Sequence, residues 1–533
     1  MGVFVDVGNE NFQSTLCSKI YVDKTGLLEY TNSVLNSNNR YVCVSRPRRF
    51  GKSITADMLS AYYGVGCDSR QMFSKLNIAL TPEFGEYLNR YHVIQVDMNT
   101  FLCKIDPSTG MSATPLRAVQ FFQNDVIAEL RTVFPQSVNE DDVDLPTVLA
   151  QINQDTREKF VIIIDEWDAI FRENCSDVAA QEAYIELLRG LFKNAPSKKF
   201  VALAYLTGIL PIKKYGTQSA LNNFDEFTMV DSGILAEYVG FTGQEVKKLC
   251  DVYGIDFSEM KRWYDGYELD EGISIYSPKS VVDAIRMKKF GNYWTRTETY
   301  ESLRDYIIMN YDGLKDSIVT MIAGGRCRVN PLKFQNDMVS FQSKDDILTL
   351  LIHLGYLAYD GIKQEVYIPN EEIRGEFCNA VEETGWDTVI QAIRDSEKLL
   401  QATWNGEEEE VARRIAKVQM ENSSIIQYND ENSLSCIITL AYYNAMNEYM
   451  IVRELPTGKG FADMVFLPRR KSEKPAMVVE LKWNQSVQGA IAQIQDRRYS
   501  AALEEYKGNI LLVGINYDKK MKDYQCVIRK DVE

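Results

Sequence analysis

At 533 residues the chain is too long for a single hydrophobic core and calls for two to four domains. With 45% apolar and 25% charged residues and no low-complexity tract, its composition excludes a disordered or fibrous protein. The net charge of −16, from 59 basic and 75 acidic residues, excludes indiscriminate coating of nucleic acid and leaves room for a local basic channel.

The first 290 residues alternate strands and helices. A short apolar strand at Arg40–Ser45 is followed by a loop and then a helix over Ser53–Tyr63. Tyr91–Asp97 is a second strand, Asp144–Lys159 a helix, and Phe160–Asp165 a third strand. An amphipathic helix over Ala180–Asn194 leads to a fourth strand at Phe200–Leu206. Continuous apolar strands alternating with helices predict an α/β fold with a parallel sheet covered on both faces. Residues 291–427 read as a middle region, mostly helical, with a winged-helix-like or lid module ending in a strand at Gln364–Ile368. The acidic run Glu407–Glu410 in it reads as a solvated helix face. The final domain, 428–533, predicts helices over Leu434–Glu448 and Val487–Tyr506. Its strands fall around Met450–Glu454, Ala462–Phe466, Ala476–Leu481 and Ile510–Ile515.

Ten cysteines are scattered with no Cys-x-x-Cys pair, which excludes a zinc ribbon or thioredoxin-like site. With two histidines, His92 and His353, chemistry that needs a histidine triad or several histidine ligands is nearly eliminated. Both read as packed side chains. No signal peptide and no apolar stretch of membrane-spanning length is read, so the expectation is a soluble cytoplasmic chain with no membrane partner.

Two stretches carry chemistry. Gly51-Lys52-Ser53, between a strand and a helix, supplies the parts of a phosphate loop. Backbone N–H groups meet phosphate at a helix N-terminus, a lysine reaches the outer phosphates, and a hydroxyl serves magnesium. The first glycine of G-x-x-x-x-G-K-[ST] is replaced by Arg46. Downstream, Asp165 ends an apolar strand and can hold a magnesium-bound water, and Glu166 can orient or deprotonate the attacking water. Thr207 would either sense the γ-phosphate or cap the next turn. Arg46, Arg48 and Arg49 would either neutralise phosphate or reach a neighbouring subunit, which leaves a homo-oligomer open. The second stretch places Asp463 at a glycine turn and Glu480 and Lys482 two apart at the end of an apolar run. Side chains alternate along a strand, so Glu480 and Lys482 share a face. Two carboxylates and a main-chain carbonyl, such as that of Leu481, suffice for magnesium. Lys482 would position or deprotonate water, or stabilise the transition state. Glu448 or Glu454 could supply a further acid.

Several blocks resemble the AAA-ATPase-like family of large bacterial proteins. They are Tyr21-Val22-Asp23-Lys24-Thr25, Arg46-Pro47-Arg48-Arg49-Phe50-Gly51-Lys52-Ser53, Ile164–Asp168, Leu206-Thr207-Gly208, Leu221-Asn222-Asn223, Gly240–Glu245, Trp263-Tyr264-Asp265-Gly266-Tyr267, and Ile275–Ser280 with Tyr293-Trp294. Gly460–Lys482 and Ile491–Tyr499 resemble the PD-(D/E)XK nuclease superfamily, whose domains such proteins commonly carry. The resemblance implies an ASCE-type P-loop NTPase domain over 1–290 and a nuclease-like domain over 428–533. In it Lys52 and Ser53 serve ATP and Mg2+, Asp165 and Glu166 form the acidic pair, and Gln493 matches the superfamily's helical glutamine. Tyr499 would contact backbone phosphate. The chain departs from the pattern in two places. Gly460-Phe461-Ala462-Asp463 lacks the family's usual arginine, and Trp167 stands where tyrosine often follows the acidic pair. The expectation is an ATP-regulated, metal-dependent nuclease with nucleic acid, DNA ahead of RNA, as partner. A nucleotide-dependent switch or scaffold that binds nucleic acid without cutting it is the alternative, and a signalling ATPase whose C-terminal domain does neither is a third reading.

Overall fold

The computed structural model describes residues 2–531 except 174–176, 213, 216–217, 220, 270–271, 295–299, 310, 312, 323, 335–340, 384–386, 423–430, 444, 458–459, 469–473, 497–502, 504–505, 507, 519 and 522. The chain forms two compact units, Met1–Thr297 with Arg328–Ile373, and Glu298–Cys327 with Arg374–Glu533. The middle region expected over 291–427 is therefore not one module. Its parts 291–297 and 328–373 belong with the first unit, and 298–327 and 374–427 with the second.

The first unit is built on a parallel sheet of five strands: β1 (Tyr41–Ser45), β2 (His92–Asp97), β3 (Phe160–Asp165), β4 (Val201–Gly208) and β5 (Asp225–Phe227). The spatial order is β2-β3-β4-β1-β5, with every neighbouring pair parallel. One strand, β4, thus lies between the phosphate-loop strand β1 and the acidic strand β3, which is the ASCE arrangement. Every residue of β1, β3 and β4 is buried, as a sheet with helices on both faces requires. Helices Pro115–Val133, Leu145–Thr156 and Val178–Phe192 supply one apolar layer through residues such as Phe122, Leu149 and Leu188. Each such buried side chain contributes about 1.5–3 kcal/mol of transfer free energy. The 19-residue helix Pro115–Val133 was not anticipated, although its start is marked by the Thr114 cap and Pro115 in the first turn. Both histidines pack. His353 is 3% exposed against Phe334, and burial lowers it to about 4. The Asp6 carboxylate accepts a hydrogen bond from His92 Nδ1 at 2.8 Å, and the His92 ring lies edge-on to Phe134.

The blocks that carry the family resemblance serve largely as joints within this unit. Asp23 accepts hydrogen bonds from Thr25 and from the Asn77 amide, while Lys24 reaches Glu245 at 2.6 Å and the Glu237 carbonyl at 2.7 Å. The Trp263–Tyr267 block fastens 328–373 to the sheet domain. Tyr267 donates to the Gly355 carbonyl, Tyr367 to the Gly266 carbonyl and Asn370 to the Asp265 carbonyl. Glu372, 2% exposed, accepts from the Tyr293 and Trp294 amides and from the Ser280 hydroxyl. These bonds satisfy a buried carboxylate and fix 328–373 to the first unit.

In the second unit a five-stranded sheet, β6 (Tyr449–Thr457), β7 (Gly460–Pro468), β8 (Ala476–Trp483), β9 (Ile510–Asp518) and β10 (Asp523–Lys530), runs in that order. The β8–β9 pair is parallel and the others antiparallel. The helix expected over Leu434–Glu448 is broken into Glu431–Ala441 and Ala445–Glu448. The acidic run is not only a solvated face: Glu408 accepts from the Ile528 amide at 2.8 Å and pairs with Arg529, capping the edge strand β10. Such cover on an exposed strand edge protects its unpaired amides. Among the described residues no helix is long and apolar enough to cross a membrane.

Gly266 has φ +105, and an added Cβ would lie 2.1 Å from the Pro369 carbonyl oxygen, so backbone would have to move. Gly266→Ala should lower stability by on the order of 2–4 kcal/mol in urea unfolding. Gly254→Ala, at a positive φ with open space around it, should cost about 1 kcal/mol.

Candidate functional site

The phosphate loop leaves the C-terminal end of β1 and enters the helix Lys52–Tyr63 through Gly51, whose φ of +93° is left-handed. A Cβ at Gly51 would meet nothing within 4 Å, so glycine is required for backbone conformation rather than for room. No acidic residue stands in the first turn of that helix, which keeps its positive end available to an anion. Lys52 is 5% exposed. Its ammonium donates to the Pro47 carbonyl at 3.2 Å and lies 3.5 Å from Glu166.

Strand register aligns Asp97 with Asp165 and Asp165 with Thr207 at one end of the sheet, where Ser45 and Gly208 also pair. Asp165 is pushed up to about 6 by burial, with the nearby Glu166 and Asp97 acting in the same direction. A hydrogen bond from Ser53 and the charge of Lys52 oppose the rise. Burial would also raise Glu166, but Lys52, Arg172 and Arg48 together hold it below the ordinary glutamate range. Arg172 reaches Glu166 at 2.5 Å and Asp168 at 3.0 Å. Asp168, fully buried, also accepts the Ile209 and Leu210 amides. Asp168 and Arg172 lie four apart at the start of the helix Ala169–Glu173. Sequence reasoning left their pairing out, although an acid–base pair at this spacing was visible in the motif.

Lys52, Ser53, Asp165 and Glu166 are therefore brought together at the loop. Two other expectations change. Arg46 is fully buried, and its guanidinium donates to the carbonyls of Ser45, Phe227 and Thr228, so it is turned inward and not toward phosphate. Thr207 is also fully buried and donates to the Val44 carbonyl at 3.0 Å, which ties β4 to β1. Arg48 is partly exposed and Arg49 exposed. The donor set fits a magnesium-bound triphosphate, with main-chain amides and Lys52 for phosphate and the Ser53 hydroxyl and Asp165 for the ion.

The second site is carried by β7 and β8. Asp463 is a strand residue and not part of a turn. It lies one step beyond the cross-strand pair Met464–Val479, as Glu480 does on the facing strand. The Asp463 carboxylate accepts the Leu481 amide at 2.7 Å, which seats it against the peptide joining Glu480 to Leu481. Glu480 is 1% exposed, and Lys482 donates to it at 3.3 Å. Lys482 is 12% exposed at its side chain and is not sunk in hydrocarbon. Behind them Gly514 pairs in register with Glu480. A Cβ there would press on the Val487 carbonyl at 3.0 Å, so the helix Val487–Asp496 lies close on β9. Gln493 is a partly exposed residue of that helix, beside its buried face of Val487, Ala490, Ile491 and Ile494. Asn516, 2% exposed and paired with Lys482 in register, accepts the Gln485 amide. It was not among the expected residues. Glu448 is exposed, and Tyr499 and the side chain of Glu454 lie outside the described residues. Among the described residues no group of three or more His, Cys, Asp or Glu forms an all-side-chain metal cage. Two carboxylates with carbonyl and water ligands fit a hard cation such as magnesium.

Comparison with known proteins agrees with this division. Residues 6–217 match the family model described as "Predicted AAA-ATPase", and residues 429–525 match that of the PD-(D/E)XK nuclease superfamily. An "Uncharacterized protein in vnfD 5'region" of Azotobacter chroococcum mcd 1 is 26% identical over 296 residues, covering 54% of this chain and 52% of its own. The chain thus spans about half the length of that curated relative. Among solved structures, the Aeropyrum pernix ORC2 protein, determined as ADPNP–ADP complexes, is 12% identical with a TM-score of 0.29. That match covers 69% of this chain and 97% of the other. The two family models thus match an ATPase-like segment and a nuclease-superfamily segment of the chain.

Asp165 ionises near 3.8 when unfolded and near 6 when folded. Between those values the folded form retains a proton that the unfolded chain has released. Its contribution to stability is therefore greatest below this window and declines as pH rises through it. Asp165→Asn should stabilise the nucleotide-free protein at pH 7 by on the order of 2 kcal/mol and flatten the stability profile between pH of about 4 and about 6. Thermal unfolding across that range reads both effects.

Proposed function

We propose that the chain is an ATP-binding, ATP-regulated, magnesium-dependent nuclease acting on nucleic acid, with DNA as the favoured substrate. The observation that carries this reading is the seating of Asp463 against the Glu480–Leu481 peptide, with Lys482 on the same strand face as Glu480. In this reading Asp463 and Glu480 hold the metal, which activates water and neutralises charge building on the phosphorus oxygens. Lys482 orients the attacking water or takes its proton, and its Glu480 contact sets its resting position. Gln493 orients the substrate or water from the flanking helix. In the first unit Lys52 and the loop amides bind the phosphates, and Ser53 and Asp165 provide the magnesium ligands. Glu166, kept ionised by Lys52, Arg172 and Arg48, orients water for hydrolysis of the nucleotide. Arg48 and Arg49 are the arginines of the loop left to meet phosphate.

One observation favours a second reading, a nucleotide-dependent switch whose C-terminal domain binds nucleic acid without cutting. At rest, Glu480 is buried and engaged by Lys482, and Asp463 is engaged by an amide. A domain without turnover would keep the same closed pairing. Cleavage separates the two readings.

Wild-type protein should nick or linearise plasmid DNA in magnesium, and Lys482→Ala should lower that rate by about a hundredfold or more. Lys52→Ala should abolish ATP binding and remove any effect of ATP on the cleavage rate. Equal survival of DNA with wild type and Lys482→Ala, across metals and nucleotides, removes the nuclease reading and leaves the switch.

A further inference from the structure

We propose that the cleft between the helices Asp387–Asn405, Glu408–Asn422 and Glu431–Ala441 binds a phosphate ester. The ligand would be either a phosphodiester of a nucleic-acid strand or the terminal phosphate of a free nucleotide. Its nucleic-acid form rests on the nuclease reading above; its mononucleotide form does not. The cleft encloses about 220 Å³ within the second unit. Four cations line it, Lys398, Arg413, Arg414 and Lys417, over an apolar floor that includes Leu399 and Val418. Two carboxylates answer them. Asp395 is 2.9 Å from Lys417 and 3.7 Å from Lys398, and Glu410 is 2.7 Å from both Arg413 and Arg414. Four positive and two negative groups leave a local surplus of two, in a chain whose overall charge is −16.

The pairing alone does not account for that arrangement. An intrahelical Glu–Arg pair needs one arginine, and here Glu410 has two, at the third and fourth residues beyond it. Lys398, 67% exposed and 3.7 Å from Asp395, is weakly held and releases readily, whereas Arg413, 66% exposed, forks onto Glu410 through two hydrogen bonds. Arg414, 21% exposed, stays close to the floor as a fixed guanidinium, the group best matched to the flat, two-oxygen face of a phosphate. Hydrogen bonds from Lys417 and Gln391, with the charge of Lys398 beyond them, hold Asp395 down to about 2, so it stays ionised through the whole neutral range. Asp395 therefore serves as a tether for Lys417, while Lys398 and Arg413 are the most exposed of the four cations.

The test uses the full chain carrying Lys52→Ala, so that the upstream loop does not report nucleotide, and EDTA, so that DNA is not cut. The probes are a short 5′-phosphorylated single-stranded DNA, read by fluorescence anisotropy, and AMP, read by calorimetry. Lys398→Glu with Arg413→Glu, both on exposed side chains, should leave the melting temperature unchanged and weaken binding about tenfold or more at low salt. For the oligonucleotide, the slope of log affinity against log salt should fall by about 0.7 for each phosphate that is no longer neutralised. Lys398→Arg with Arg413→Lys, which keeps the charge, should bind like the parent. Weakening of the oligonucleotide alone assigns the site to a strand phosphodiester. Weakening of AMP alone assigns it to a free nucleotide. Affinity and salt slope unchanged for both probes overturn the proposal. Failure of the nuclease reading looks different: wild type leaves DNA intact, while binding still responds to the charge reversal.

Discussion

The phosphate loop is held in place by a buried arginine. Arg46 stands where a glycine commonly opens such a loop, and its guanidinium binds the carbonyls of Ser45, Phe227 and Thr228. Burying a guanidinium is costly, and these three carbonyls, all met by Nη1, offset part of that cost, so they must stay where they are. They belong to the end of β1 and to the end of β5 with the residue beyond it. The same side chain therefore fixes the loop's first residue to the edge of the sheet. The Arg46 amide completes the clasp by donating to the Gly208 carbonyl of β4. Where a glycine would contribute freedom, this chain contributes a tie. Left-handed backbone comes instead at the far end of the loop, at Arg49 with φ +72 and at Gly51 with φ +93.

From this tie the constraint passes outward through the loop's apolar residues. Phe50 lies edge-on to Tyr267, with centroids 5.6 Å apart, and to Trp294 at 6.1 Å. Pro47 is so close to Gly355 that an added Cβ there would sit 2.7 Å from its ring. Gly355 is in turn held by the Tyr267 hydroxyl, and Glu372 anchors the Tyr293–Trp294 backbone. The Trp-Tyr-Asp-Gly-Tyr block and the Tyr-Trp pair, far apart in sequence, thus converge around one loop. A change in the loop's pose is felt directly by 328–373, because well-packed interiors resist continuous deformation.

Much of this was legible in the sequence, and the unread parts have physical reasons. Strands β1 to β4 are continuous apolar runs, and buried parallel strands advertise themselves in that way. Strand β5, Asp225–Phe227, is three residues long with charge in two of them, and only its ladder to β1 makes it a strand. Strand β10, Asp523–Lys530, alternates buried and exposed positions at the edge of the sheet and carries too weak a run to stand out. The acids and lysines of both candidate sites stand out in the sequence because carboxylates at strand ends have few structural reasons to be there. The inward bonds of Arg46 and Thr207 were not legible for a complementary reason. Sequence shows that a polar side chain is near a site, and only packing shows whether it points toward the ligand or back into the sheet. Arg172 lay hidden because its partners are Glu166 and Asp168, and without a helix start at Ala169 the spacing carries no direction.

The two sites share a resting logic. In each, a buried or nearly buried lysine leans on the acid it would serve, Lys52 at 3.5 Å from Glu166 and Lys482 at 3.3 Å from Glu480. Such a pairing prevents an uncompensated charge in a low-dielectric site, and an incoming phosphate must offer the lysine at least as good a partner. A phosphate at the upstream loop draws Lys52 away from Glu166 and leaves Arg172 as a cation that keeps this carboxylate ionised. Arg172 is itself anchored by Asp168, which the Ile209 and Leu210 amides hold from the far side. The carboxylate that would orient water therefore keeps a fixed counter-charge whether or not nucleotide is bound. Downstream, Glu480 pairs with Lys482 of its own strand, and Asp463 accepts the Leu481 amide. A phosphate that drew Lys482 away would remove positive charge from a buried carboxylate, and a divalent ion arriving with it would restore that charge. In the proposed function the upstream loop would receive phosphate on a counter-charge already fixed in the fold, and the downstream pair would open to metal and phosphate together.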